Sequence, residues 1–298
     1  MTTMNRFLPA LSLVLVLGLN AAEPVTAAAA APVADAGPPP TRIIPYKKVG
    51  DVELMLHVFE PPGHKAGDRA PAIVLFFGGA WRGGKASQLY PQCAHLASRG
   101  VWAASAEYRV KTLHHTTPAE CVKDGKSAVR YLRSHAAELG LDPARIAAGG
   151  ASAGGHVAAA TATVSGFDEE TDDPAVSAVP AALVLFNPVY DNGPGGWGHE
   201  EVAAYWREIS PMHNIRKGIP PMIVFLGRED KHIPVATAQK FQHMMCAVGA
   251  HSELHLYDGM EHGFFNATKH DGKYFRDTMQ KAAGFLVSLG LAPPDRGR

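Results

Sequence analysis

The chain has 298 residues, enough for one large α/β domain with a well-buried core or for two small ones. Its 28 basic and 28 acidic residues cancel, so no overall field draws the protein to nucleic acid or to an anionic membrane. Because the sequence also has no run of Lys and Arg, polyanion binding is a poor starting hypothesis.

The first 40 residues have the pattern of an export signal. Arg6 precedes an apolar run over residues 8–19, and small residues follow it. As a helix this run would rise only about 18 Å, which is too short for a hydrocarbon core of about 30 Å. We therefore predict a signal peptide over residues 1–22 with an uncertain cleavage site, and a secreted or periplasmic protein. An uncleaved membrane tether is the alternative.

An Ala/Pro-rich flexible segment is predicted over residues 23–40, because it lacks the apolar periodicity needed to pack. From Thr41 the chain alternates strand and helix patterns, so residues 41–298 are predicted to form a single α/β domain. A mostly parallel sheet of about eight strands, flanked by helices, accounts for this pattern. The strands are placed at residues 52–59, 72–77, 101–106, 146–150, 181–187, 222–227 and 251–257. The helices are placed at residues 87–99, from Pro118, after residue 152, and at 235–248 and 273–289.

The three cysteines and an acidic stretch are interpreted as structural features. The three cysteines are explained as small buried residues; if a disulfide forms in an exported chain, Cys93 and Cys121 are the favoured pair, leaving Cys246 free. The acidic stretch at residues 168–173 is interpreted as a solvated loop.

A G-x-S-x-G segment, Gly150 to Gly154, lies between a predicted strand and a predicted helix. A nucleophile on such a sharp turn occupies strained backbone space, and small residues on either side prevent collisions with neighbouring backbone. The new helix also directs its N–H groups towards the reacting centre. This context indicates that Ser152 is a catalytic nucleophile.

A serine nucleophile needs a base to take its proton and an acid to orient that base. Asp230 follows the strand at residues 222–227, and His262 follows the strand that ends at Tyr257, so both belong to the sheet edge that carries Ser152. We predict His262 as the base and Asp230 as the acid. The rival bases are His232, His251, His255 and His270, and the rival acids are Glu229 and Asp258.

Donors for an oxyanion are predicted in the glycine-containing turn after the strand at residues 72–77. The N–H groups of Gly79 and Ala80, together with that of Ala153 directly after the nucleophile, are the candidate oxyanion hole. Gly78 and Trp81 are candidate substrate-binding residues, although Trp81 could equally be a packing residue at the rim.

Five motifs, in this order, resemble those of the acetyl esterase and hormone-sensitive-lipase-like group of α/β-hydrolases. They are FFGGAWRGG (76–84), EYRV (107–110), DPARIAAGGASAGGH (142–156), GREDKHIP (227–234) and DGMEHGF (258–264). The resemblance covers residues 41–291 and implies ester hydrolysis through an acyl-enzyme, with no metal or organic cofactor. A small-molecule or carbohydrate ester is the expected substrate. The balanced charge argues against a nucleic-acid partner, and the short apolar run at residues 8–19 argues against stable membrane insertion; the oligomeric state is left open.

The sequence departs from this group at Phe77, where a His usually precedes the glycines of the oxyanion loop. Only residues 189–221 are available for a lid after the sixth strand, so at most a small one is predicted. An open site suits short acyl groups, such as acetyl or feruloyl groups on carbohydrate. The alternatives are an arylformamidase or small peptidase or amidase on the same fold, and a non-catalytic binding protein.

Overall fold

The central sheet has eight strands in the computed structural model, which describes residues 1–2 and 37–294. The strands are β1 (Arg42–Val49), β2 (Val52–Phe59), β3 (Ala70–Phe76), β4 (Trp102–Ala106), β5 (Leu141–Ala151), β6 (Leu183–Phe186), β7 (Met222–Gly227) and β8 (Ser252–Tyr257). Their order in the sheet is β1-β2-β4-β3-β5-β6-β7-β8. Only β1 with β2 and β2 with β4 pair antiparallel, and the other pairs are parallel. The predicted fold class is therefore confirmed.

Helices cover both faces of the sheet. In the described part of the chain the α-helices are α1 (Tyr90–Ser98), α2 (Lys111–His114), α3 (Pro118–Ser134), α4 (Ala153–Thr163), α5 (His199–Val202), α6 (Trp206–Ile209), α7 (Val235–Ala247) and α8 (Lys273–Ser288). Helices α3, α4 and α7 contribute to one core layer, and α1 and α8 contribute to the other. The strands β3, β6 and β7 are apolar along their length because both of their faces are buried.

Local sequence explains where several elements begin. Thr117 caps α3: its hydroxyl accepts a hydrogen bond from the backbone of Ala119, and Glu120 completes the capping box. The predicted helix over residues 87–99 is instead a 3₁₀ helix at Ala86–Leu89 followed by α1, which has Pro91 in its first turn. Strand β1 was not predicted. It is a partly exposed edge strand interrupted by a bulge after Pro45, so it lacks an alternating apolar pattern.

The cysteines form no disulfide in the described structure. Cys93 lies in α1 and Cys121 lies in α3, so they belong to the core layers on opposite faces of the sheet. Both are buried, and burial raises the pKa of each thiol. They act as small buried residues, and Cys246 is exposed.

The acidic stretch at residues 168–173 is a loop, but it is not simply solvated, and this part of the prediction is wrong. Glu169 accepts ion pairs from Lys47 (2.8 Å) and Arg109 (2.7 Å). Asp172 accepts hydrogen bonds from Ser127 and Arg130. Basic side chains from β1, from the segment after β4 and from α3 therefore hold this loop against the domain.

Between β6 and β7, residues 187–221 contain only α5, α6 and a 3₁₀ helix at Pro211–Asn214, which confirms the small lid. None of the helices within residues 37–294 combines the length and apolarity needed to cross a bilayer. Residues 3–22 of the predicted signal peptide and residues 23–36 of the predicted flexible segment lie outside the described residues.

Candidate active site

Ser152 occupies the sharp turn between the end of β5 and the start of α4. Its φ of 52° and ψ of −119° put it in a left-handed region that costs a non-glycine residue roughly 1–3 kcal/mol. The turn fits only because its neighbours are glycines. A Cβ on Gly150 would collide with the carbonyl oxygen of Gly154, and one on Gly154 would collide with the carbonyl oxygens of Phe76 and Phe77. The sequence thus presents the serine at the carboxyl edge of the sheet.

The structure brings Ser152, His262 and Asp230 into one hydrogen-bonded series. Ser152 Oγ lies 3.0 Å from His262 Nε2, and His262 Nδ1 lies 2.7 Å from Asp230 Oδ2. The Asp230 side chain is fully buried, whereas 23% of the His262 side chain is exposed. This is the arrangement of nucleophile, base and orienting acid that acyl transfer requires.

Both carboxylate oxygens of Asp230 accept hydrogen bonds. Its Oδ1 accepts hydrogen bonds from the backbone N–H groups of His232 (2.8 Å) and Ile233 (3.0 Å). Burial raises the pKa of Asp230, but the hydrogen bonds from His262 and these N–H groups outweigh it and lower that pKa overall. The carboxylate is therefore ionised at neutral pH, and it fixes the proton of His262 on Nδ1.

The rival acids and bases take no part in this hydrogen-bonded series. The His232 ring is edge-on to that of His262, with 4.8 Å between centroids, and it lines the same cavity. The other candidates pair with surface partners: His251 and His255 with Glu253, His270 with Glu261, and Asp258 with Arg228. Glu229 is exposed.

The loop after β3 presents the predicted oxyanion donors beside Ser152. Gly79 and Ala80 have φ values of 148° and 57°, and both line the cavity that contains Ser152. Within residues 37–294, no atom accepts a hydrogen bond from the N–H groups of Gly79, Ala80 or Ala153. The N–H of Gly78 is different, because it donates to Gln88 Oε1 (2.6 Å) and so anchors the loop.

Tyr108 braces this loop at the position where Phe77 replaces a His. The Phe77 and Tyr108 rings stack with centroids 4.3 Å apart, and Tyr108 Oη donates a hydrogen bond to the Phe77 carbonyl oxygen (2.7 Å). Both residues are buried. The tyrosine of the EYRV motif therefore supports the oxyanion loop without an imidazole.

The cavity at Ser152 has a volume of about 380 Å³ and is lined by both apolar and polar groups. Its wall includes Gln88, Asn187, Trp197, His232, Phe265, Asn266 and Lys269. Trp81 is buried behind this wall, where it packs against Trp197 (5.2 Å between centroids) and His156 (5.0 Å). The geometry favours its packing role, and direct contact between Trp81 and substrate stays a prediction. Gly78 does line the cavity.

Sequence reasoning missed two polar residues of this site, Asn187 and Gln88. Asn187 directly follows β6, so its place at the carboxyl edge of the sheet was a usable signal. Gln88 comes from the 3₁₀ helix before α1, and only the tertiary structure brings it to Gly78.

A lysine at the edge of the cavity, Lys269, forms an ion pair with a carboxylate. Lys269 donates to Glu261 (2.7 Å), and this hydrogen bond is the main cause that lowers the pKa of Glu261 to about 2. No cluster of three or more His, Cys, Asp or Glu residues that could hold a metal ion occurs within residues 37–294.

Comparisons with known proteins identify the family. The BD-FAE family model matches residues 56–185. Among solved structures, the chain is similar to esterase 2 of the planctomycete Thermogutta terrifontis, with 41% identity and a TM-score of 0.82 over 85% of this chain and 96% of that chain. The chain belongs to the α/β-hydrolase carboxylesterases.

Other members of the α/β-hydrolase carboxylesterases extend this comparison. Esterase LipQ of Mycobacterium tuberculosis is 30% identical over 70% of this chain and 53% of its own length, so this chain spans about half of that relative. Carboxylesterase NlhH of the same organism is 26% identical over 73% of each chain. The T. terrifontis esterase has been solved with propionate bound, with butyrate bound and phosphorylated by paraoxon.

Proposed function

We propose that this carboxylesterase-family protein hydrolyses short-acyl carboxylic esters through an acyl-enzyme on Ser152. One observation carries the proposal. The series Ser152–His262–Asp230, with distances of 3.0 and 2.7 Å, stands beside three backbone N–H groups that have no partner within residues 37–294. A nucleophile, its base and oxyanion donors are the parts that acyl transfer needs.

In the first half-reaction, Ser152 Oγ attacks the ester carbonyl carbon while His262 Nε2 takes the serine proton. Asp230 stabilises the resulting imidazolium through Nδ1. The N–H groups of Gly79, Ala80 and Ala153 donate to the oxyanion of the tetrahedral intermediate. His262 then gives its proton to the leaving alkoxide, and the ester C–O bond breaks. Water repeats the sequence on the acyl-enzyme, releasing the acid and free Ser152.

A short acyl group is supported by the cavity. Its volume of about 380 Å³ is near the lower end of small-molecule sites. The T. terrifontis esterase, 40% identical, has been solved with propionate and with butyrate bound. We infer acyl groups of about two to four carbons as the preferred substrates.

The alcohol portion of the substrate is proposed to be hydroxylated, as in acetylated carbohydrate. Three polar side chains in the cavity lining, those of Gln88, Asn266 and Lys269, offer hydrogen bonds to hydroxyl groups. The small lid also leaves the site open to a bulky alcohol.

Hydrolysis of p-nitrophenyl acetate, butyrate and octanoate by the wild type and by Ser152→Ala tests the proposal. We expect turnover of acetate and butyrate well above that of octanoate, and loss of turnover in the variant. Release of acetate from an acetylated xylose tests the alcohol portion of the substrate. Cleavage of an anilide without cleavage of any ester would contradict the esterase proposal, and so would ester turnover that survives Ser152→Ala.

We propose export to the periplasm or the medium, based on the apolar run at residues 8–19. Fractionation of cells that express the full chain, compared with a chain lacking residues 1–22, tests this. Equal amounts of both chains in the cytoplasm would contradict export.

A further inference from the structure

Asn187 contacts the catalytic histidine candidate and the residue after it. It follows β6, is 1% exposed and has a φ of 35°, a left-handed conformation that Asn tolerates better than most residues. Its Oδ1 accepts a hydrogen bond from the backbone N–H of Gly263 (3.1 Å), and its Nδ2 lies 3.2 Å from His262 Nε2. A backbone N–H can only donate, so Oδ1 must face Gly263 and the amide nitrogen must face His262.

Two donors therefore meet one acceptor. Because His262 Nδ1 donates to the Asp230 carboxylate, Nε2 of the neutral ring carries a single lone pair. Ser152 Oγ and Asn187 Nδ2 both lie within hydrogen-bond distance of that atom, at 3.0 and 3.2 Å. Once Nε2 takes a proton it becomes a donor, and the Asn187 N–H then faces another N–H.

We propose that Asn187 is a positioning residue that favours the neutral form of His262 and holds its Nε2 lone pair at Ser152. The role rests on the proposed ester hydrolysis. In the resting site, Asn187 can donate to Nε2 only while that atom is unprotonated. After proton transfer, the lost Asn187 hydrogen bond favours return of the proton to the leaving alkoxide. The bond to Gly263 fixes the histidine loop against the end of β6.

Other charged and titratable groups also face His262. Asp230 bonds to Nδ1, the His232 ring is edge-on to it, and Lys269 Nζ lies 3.3 Å from the His262 carbonyl oxygen. Glu261 pairs with Lys269. A test must leave all four groups in place and change only the group at Nε2.

Asn187→Asp makes that change. Asp keeps the acceptor for Gly263 N–H and tolerates the left-handed backbone, but it places a carboxylate oxygen against Nε2. Asn266→Asp is the matched control. Asn266 lines the same cavity and donates to the Gly263 carbonyl oxygen (2.7 Å), so it adds the same charge without occupying the position against Nε2.

The measurement is an NMR titration of the His262 ring, assigned against a His262→Gln spectrum, without substrate. We expect the titration midpoint of Asn187→Asp to lie roughly 1–3 pH units above that of the wild type, because an opposite charge at this distance stabilises the imidazolium. Asn266→Asp should shift it far less. Equal midpoints for wild type and Asn187→Asp would overturn the proposal, as would equal shifts in the two Asp variants.

Asn187→Gly keeps the test decisive if the Asp variant does not fold. Glycine accepts the positive φ and removes the amide, so the midpoint should rise by a smaller amount in the same direction. An unchanged midpoint would overturn the proposal.

The pH dependence of kcat/KM for p-nitrophenyl acetate separates this role from the proposed function. In Asn187→Asp, the acid limb of the kcat/KM profile should shift in the same direction and by a similar number of pH units as the NMR midpoint. A ring shift together with a wild type that hydrolyses no ester would contradict the esterase proposal and leave the Asn187–His262 interaction established.

Discussion

At the scale of single residues, the site depends on which atoms carry protons. Asp230 accepts at both oxygens, from two backbone N–H groups at Oδ1 and from His262 at Oδ2. This arrangement fixes the proton of His262 on Nδ1 and leaves Nε2 as the acceptor for Ser152. Replacing one carboxylate oxygen of Asp230 with an amide nitrogen therefore tests the whole Ser152–His262–Asp230 series.

Asp230→Asn should lower kcat by about 10³–10⁴-fold with little change in fold. The amide oxygen can keep the bonds from His232 and Ile233, so the amide nitrogen must face His262 Nδ1 and force the proton onto Nε2. Steady-state kinetics and thermal unfolding of the purified variant measure both effects. Glu229→Gln, an exposed neighbour, is the control and should retain activity. Full activity of Asp230→Asn would contradict the assignment of the acid.

His156 makes stability depend on pH. It is fully buried, its Nε2 bonds to the Ile209 carbonyl oxygen (3.1 Å), and burial lowers its pKa from 6.5 to about 4. Between these pH values the unfolded chain binds a proton that the folded chain does not. Stability from this residue is therefore complete above pH 6.5 and is lost as the pH falls towards 4, by on the order of 3 kcal/mol.

His156→Gln should remove this part of the pH dependence, because Gln retains a donor for the Ile209 carbonyl but does not titrate. Urea unfolding between pH 4 and 8 gives the comparison with wild type. His251→Gln, in which an exposed histidine is replaced, should leave the slope unchanged. If wild type and His156→Gln lose stability in parallel on acidification, the explanation is wrong.

At the scale of elements, the oxyanion loop depends on packing from its neighbours. Tyr108 stacks on Phe77 and donates to its carbonyl oxygen, and Gln88 accepts from Gly78. Sequence reasoning predicted the loop and its donors but left open how it is braced without a histidine. The answer depends on contacts between residues 31 and 10 positions apart, which no local pattern encodes.

Tyr108→Phe should lower kcat several-fold and stability by about 1–3 kcal/mol, because it leaves the buried Phe77 carbonyl without its donor while keeping the ring. Tyr190→Phe is a matched control: Tyr190 is equally buried, but its hydroxyl has no partner among the described residues. That variant should be neutral or stabilised. Equal losses in the two variants would contradict a specific role for the Tyr108 hydroxyl.

At the scale of the whole molecule, the sequence predicted what periodicity and local motifs determine. Continuous apolar runs identified β3 and β7, and the strand–turn–helix context identified the turn at Ser152. Strand β1 was missed because an edge strand with a bulge has no regular apolar pattern. The role of the acidic loop was missed because its cationic partners come from distant segments.

A buried ion cluster joins those distant segments. Asp124 of α3 accepts from Arg109 (2.7 Å) and from Lys47 of β1 (2.6 Å), and Glu169 of the acidic loop contacts both cations. The Asp124 side chain is fully buried and that of Lys47 is 4% exposed. The carboxylates are therefore needed to balance cations that cannot reach water.

Asp124→Asn should cost about 3–5 kcal/mol of unfolding free energy, because it removes the central charge and leaves Arg109 and Lys47 with only Glu169.

Asp258→Asn is the control. It breaks the surface pair of Asp258 with Arg228, in which Asp258 is 90% exposed, and should cost less than about 1 kcal/mol. Urea unfolding of both variants at pH 7 measures the difference. The chemistry at Ser152 lies on other residues, so the folded fraction of Asp124→Asn should keep near-normal kcat. A cost close to that of the surface pair would show that the cluster does not hold these segments together.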